Sequence, residues 1–104
     1  MTLKELVGLN GNGYYNGYVY FGLDEYGREI YFMICTPQEN KISDLNEILL
    51  SNGYDPELTE LKGVCDFRAS NSRITCLRDQ PEFTGIEVKN KAKQILEANG
   101  YRFC

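Results

Sequence analysis

The chain predicts an α+β domain: a four-stranded antiparallel sheet built from two strand–strand–helix units, with two helices packed mainly on one face. Three observations predict it. A helix-ending signature occurs twice, as Ile48-Leu49-Leu50-Ser51-Asn52-Gly53-Tyr54 and again as Ile95-Leu96-Glu97-Ala98-Asn99-Gly100-Tyr101. Asn-Gly after an amphipathic run stops a helix, because Gly enters the left-handed region and lets the last carbonyls be capped. Residues 17–35 alternate with the period of a strand on either side of a turn. A weaker alternation of the same kind spans residues 64–78. At 104 residues the chain is one domain, 1–104, with pseudo-repeat halves at about 17–54 and 63–101.

Taken in order, Thr2-x-x-Glu5 is a capping-box pattern that predicts a short helix over Leu3 to Val7. Gly8 to Gly13 reads as a flexible loop; it leads into a strand, so no helix N-terminus follows it to hold a phosphate. In the first hairpin Val19, Phe21 and Leu23 alternate with Tyr18, Tyr20 and Gly22. Asp24-Glu25-Tyr26-Gly27 supplies the turn, and a four-residue loop pairs Phe21 with Ile30 and Val19 with Phe32. That register puts the aliphatic side chains on one face and Tyr18, Tyr20, Tyr31 and Met33 on the other.

Thr36-Pro37 closes the second strand. Ser43 is the expected N-cap of a helix running through Leu45, Ile48 and Leu49 to Gly53. A two-residue turn at Ser70-Asn71 pairs Phe67 with Ile74 and Cys65 with Cys76. Thr84-x-x-Glu87 opens the second helix, whose Val88, Ala92, Ile95 and Leu96 form its buried stripe, and Tyr101 to Phe103 suit a short terminal strand.

Composition narrows the chemistry. There is no histidine, which removes the commonest general base and the usual partner of a Ser or Cys nucleophile. The four cysteines are widely spaced and lack a C-x-x-C pair, so reduced thiols are expected, with no metal and no cofactor. No apolar run approaches the roughly 20 residues of a membrane span, and the N-terminal stretch carries Glu5. The expectation is a cytoplasmic protein.

Net charge is −4, but it divides unevenly along the chain. Residues 1–61 hold three basic and ten acidic side chains, whereas residues 62–104 hold eight basic and five acidic. Opposite halves of this kind suggest two partner surfaces of opposite sign. On the acidic side, the Tyr18, Tyr20 and Tyr31 ladder with Asp24, Glu25 and Glu29 forms a candidate protein-binding patch, since Tyr gives contact area at low entropic cost. On the basic side, Arg68, Arg73, Arg78, Lys89 and Lys93, with Lys91 and Arg102 nearby, form a candidate nucleic-acid surface.

These features point to a small, acidic, non-enzymatic binding module. The class that fits first is an inhibitor of a larger nucleic-acid-processing or defence complex, in the manner of phage anti-defence and anti-CRISPR proteins. It would compete electrostatically for a basic surface. A nucleic-acid-binding or regulatory module using the basic half is the alternative, and a toxin-immunity protein a further one. Expected partners are a larger protein or protein–nucleic acid complex, with a homodimer covering the tyrosines as another route and no membrane.

Overall fold

Ile30, Tyr31, Phe32, Met33, Ile34 and Cys35 form an unbroken apolar run, and the computed structural model gives its reason. The strand that carries it lies inside a sheet covered on both faces, where side chains of either parity must be apolar. The structure describes residues 3–38, 45–79 and 86–103. Within them run β1 (Leu3–Val7), β2 (Gly13–Leu23), β3 (Glu29–Pro37), α1 (Leu45–Ser51), a 3₁₀ turn (Pro56–Leu58), β4 (Thr59–Ser70), β5 (Arg73–Asp79), α2 (Ile86–Ala98) and β6 (Arg102–Phe103).

The sheet has six strands in the order β1-β3-β2-β4-β5-β6. The four central strands pair antiparallel, while β1 runs parallel to β3 and β6 parallel to β5. The expected four-stranded antiparallel sheet is therefore corrected to a six-stranded mixed one. Leu3–Val7, expected as a helix, is a strand. Five residues cannot repay helix nucleation alone, whereas pairing with β3 satisfies their backbone groups. Leu6 then packs into one hydrophobic cluster and Val7 into the other.

The first hairpin differs from expectation by a single step. Val19 pairs with Met33, Tyr20 with Phe32 and Phe21 with Tyr31. Turn chemistry sets this register: Gly27 sits at φ +77°, and the Asp24 N–H donates to the Arg28 carbonyl at 2.9 Å. Together they close a three-residue loop with a left-handed glycine rather than a four-residue one. An odd shift moves every side chain of one strand to the opposite face. The aliphatic residues consequently split between faces instead of sharing one.

Both faces then need cover, and each receives a helix. Tyr15, Val19, Met33, Cys35, Cys65, Phe67 and Ile74 pack under Ala92, Ile95 and Leu96 of α2. Tyr20, Ile30, Phe32 and Ile34 pack under Leu49 of α1 and Tyr54. The helices thus lie on opposite faces, which corrects the expected one-sided arrangement.

The repeated signature does what its residues dictate. Gly53 (φ +83°) donates to the Leu50 carbonyl at 3.2 Å and Tyr54 to that of Leu49 at 2.9 Å. Gly100 (φ +92°) and Tyr101 repeat the pattern on Glu97 at 3.1 Å and Leu96 at 3.0 Å. Both are Schellman caps. Asn52 and Asn99 each add a side-chain bond to the carbonyl four residues back, at 2.8 and 2.7 Å. The proposed caps at Thr2, Ser43 and Thr84 lie outside the described residues.

Next to its turn the second hairpin shifts by two residues. Its turn is Asn71-Ser72, both at positive φ (50° and 66°), with Ser70 opposite Arg73 and Ala69 opposite Ile74. An even shift preserves the faces, so Phe67 and Ile74 still share a cluster although they are not opposed. A bulge between Asp66 and Arg68 adds one more step, so that Cys65 faces Asp79 across the ladder rather than Cys76.

Candidate functional site

Alternation along β4 and β5 decides where the basic residues go. Phe67, Ala69 and Ile74 point into the α2 cluster, so Arg68, Ser70, Arg73 and Thr75 emerge on the opposite face. Register aligns them in two rows. Arg102, Arg73 and Ser70 lie across β6, β5 and β4, and Thr75, Arg68 and Tyr14 lie across β5, β4 and β2. Neighbouring strands are about 4.8 Å apart, so three guanidinium groups converge on one small area.

That area is a groove of about 580 Å³ lined by Arg68, Ser70, Asn71, Arg73, Thr75 and Arg102. All three arginines are exposed, and among the described residues no carboxylate pairs with them. The guanidinium of Arg68 sits 5.7 Å from the centre of the Tyr14 ring, and Tyr14 is 56% exposed. Asp66, the nearest carboxylate along β4, is opposite Arg78 in the ladder. The Asn71 N–H donates to the Asn12 side chain at 2.9 Å, tying the turn at the groove's end to the loop before β2.

The proposed basic set is thus divided. Arg68 and Arg73 meet in the groove and gain Arg102. Arg78 lies on β5 with its side chain outside the described residues. Lys89 and Lys93 belong to α2 on the other side of the sheet, where Lys93 lies 5.8 Å from the centre of the Phe103 ring. Tyr14, Ser70 and Thr75 were missed in the sequence. The signal for Ser70 and Thr75 was the two-residue spacing of Arg68 to Ser70 and Arg73 to Thr75 around apolar neighbours; Tyr14 joins them only through the pairing of β2 with β4.

The tyrosine ladder does not assemble. Tyr20 is buried (5% exposed) and stacked 5.2 Å from Phe32 beneath α1 and Tyr54. Burial, with a smaller effect from Tyr18, raises its pKa. Tyr31 faces the α2 side, stacked 4.4 Å from Phe21 with the Lys91 ammonium 4.5 Å from its ring centre. Tyr18 is partly buried against the α1 cluster. The one-step register change places these three phenols on two faces.

The acids remain together at the first hairpin's tip. Asp24 accepts from the Tyr26 and Arg28 backbone N–H groups, both at 2.9 Å, and from the Arg28 side chain at 2.8 Å. Desolvation pushes the Asp24 carboxyl upward, but the Arg28 and Tyr26 N–H donors and the Arg28 guanidinium outweigh it. They hold its pKa below the ordinary value. Asp24 is thus occupied in shaping the turn, while Glu25, Glu29 and Tyr26 (74% exposed) face solvent.

A second cleft of about 520 Å³ lies between α2 and the sheet, lined by residues that include Tyr31, Lys62, Val88 and Lys91. Among the described residues no group of His, Cys, Asp or Glu is placed to hold a metal. Cys35 is buried, and burial raises its thiol far above its ordinary pKa. No described helix is long and apolar enough to cross a membrane. No protein-family model matches the chain, and no curated protein or solved structure is detectably similar to it.

Proposed function

We propose that the protein is a non-enzymatic cytoplasmic binding module whose working surface is the arginine groove. Its ligand is the phosphate backbone of a nucleic acid, free or held in a larger protein–nucleic acid complex. The observation that carries this reading is the convergence of Arg68, Arg73 and Arg102, exposed and unpaired with any described carboxylate. Guanidinium forks match phosphate oxygens bidentately.

The acidity of the first hairpin's tip is not an obstacle. Tyr14, beside the groove, and Asp24, at the hairpin tip, are ten residues apart along β2 and its extension. At 3.2–3.4 Å per residue this is about 30 Å, several times the roughly 8 Å screening length at physiological salt. The tip carboxylates therefore leave the groove's local field intact.

The test is retention on heparin at low salt. The native protein binds despite its net charge of −4 and elutes as salt rises, whereas Arg68→Glu with Arg73→Glu flows through. A native protein that passes unretained at low salt overturns the reading.

A second reading follows from the exposed tip, where Tyr26 stands beside Glu25 and Glu29. An acidic, aromatic projection of this kind suits a basic protein surface, as an inhibitor of a nucleic-acid-processing or defence complex would require. Loss of pull-down of such a complex on Glu25→Lys with Glu29→Lys, but not on the arginine changes, distinguishes it from the first.

A further inference from the structure

Tyr14 lies outside the phosphate chemistry just described, yet it shares the groove's face and stands opposite Arg68 in the ladder. Its ring is more than half exposed although it belongs to a sheet whose other aromatic residues near the centre are covered. A phenol left open next to a guanidinium presents two adjacent π surfaces, and bases stack on both kinds. Beside this pair, the Arg102-Arg73-Ser70 row supplies donors at strand spacing.

We infer that the groove holds a single strand of nucleic acid, with a base stacked on the Tyr14–Arg68 pair and the neighbouring phosphates on Arg73 and Arg102. The inference rests on the groove's being the binding surface. It goes further by selecting single strands over duplex, because a duplex keeps its base faces stacked inside and presents phosphates alone. Ser70, Asn71 and Thr75 add neutral hydrogen-bonding groups at the floor and rim of the groove. These suit sugar and base edges as well as phosphate oxygens.

Stacking of this type contributes enough that its loss to alanine weakens binding about tenfold, within a range of roughly 5- to 150-fold. Two arginine–phosphate contacts predict that log affinity falls with log salt at a slope of about −1.4, and that removing Arg73 or Arg102 lowers the slope by about 0.7.

The experiment is fluorescence anisotropy with labelled oligothymidylate and oligouridylate of about 12 nucleotides, a duplex of the same length, and inorganic polyphosphate as competitor. Tyr14→Ala is expected to weaken both single strands about tenfold and leave the salt slope unchanged. Tyr14→Phe retains affinity, and the duplex binds more weakly than either strand. Tighter binding of either single strand than of the duplex supports the inference, and a difference between the two single strands reports the 2′-hydroxyl and the thymine methyl together. Equal binding of duplex and single strand with no effect of Tyr14→Ala overturns the single-strand inference while the groove stands. Binding of no probe, with no effect of the arginine reversals, removes both. Tyr14 and the arginines are exposed, so thermal melts of the variants should match the native protein and separate lost binding from lost folding.

Discussion

Ser72 stands at φ +66°, a left-handed backbone that a Cβ disfavours, at the turn that ends the groove. Asn71 before it, at φ +50°, tolerates that region far better. A two-residue hairpin with both central residues at positive φ matches strand twist, and Asn-Gly is its preferred sequence. Ser72→Gly is therefore expected to stabilise the protein by roughly 0.5–1 kcal/mol, raising the thermal midpoint by a few degrees. The Ser72 carbonyl that accepts from the Arg102 N–H at 2.9 Å is kept, so groove binding is unchanged. A lowered midpoint in a thermal melt would show that the hydroxyl, not the backbone, holds the turn. Gly22 illustrates the opposite demand. A Cβ there would collide with the Leu58 carbonyl and approach Thr59 Cα to 2.6 Å, so only glycine lets β2 and the 3₁₀ turn meet.

At the scale of the element, the register of β2 on β3 has the widest consequences. The expected pairing made Tyr20 a surface residue; the observed pairing buries it between Phe32, Tyr54 and α1. Tyr20→Ala separates the two by measurement. Emptying this site is expected to cost about 3 kcal/mol or more, read from denaturant midpoints, whereas a solvent-facing tyrosine would cost a small fraction of that. Legibility differed between the hairpins for the same geometric reason. Both registers departed from expectation, the first by one residue and the second, between its turn and the bulge before Arg68, by two; there the even shift kept the faces, whereas the odd one exchanged them. The Schellman caps, by contrast, depend on residues within one short segment and were readable in full from Asn52-Gly53 and Asn99-Gly100.

At the scale of the molecule, the sheet separates two hydrophobic clusters that have no buried residue in common. Leu49 anchors α1 in one, and Ile95 anchors α2 in the other; both are essentially inaccessible to solvent (1% and 0% exposed). Each changed to alanine should destabilise by about 2–5 kcal/mol. Because the sites share no buried neighbour, the double variant should lose the sum within about 0.5 kcal/mol. A large departure from additivity in equilibrium unfolding would mean that the two layers communicate through the strands between them. The same layering leaves room for function. α1 seats Leu49 over β2 and β3, while the corresponding face of β4, β5 and β6 carries the arginines.

The amino-acid sequence by itself determined the α+β composition, the two hairpins, both helix stops and the division into an acidic and a basic half, because each depends on neighbours along the chain. Tertiary structure alone decided the parallel edge strands, the opposite placement of the helices and the meeting of Arg68, Arg73 and Arg102. Those depend on which strands adjoin and in what register, and side chains within a few residues of one another do not encode that choice. The run from Ile30 to Cys35 carried a hint of it: a stretch apolar at every position has no exposed face, and a sheet that contains it needs helices above and below.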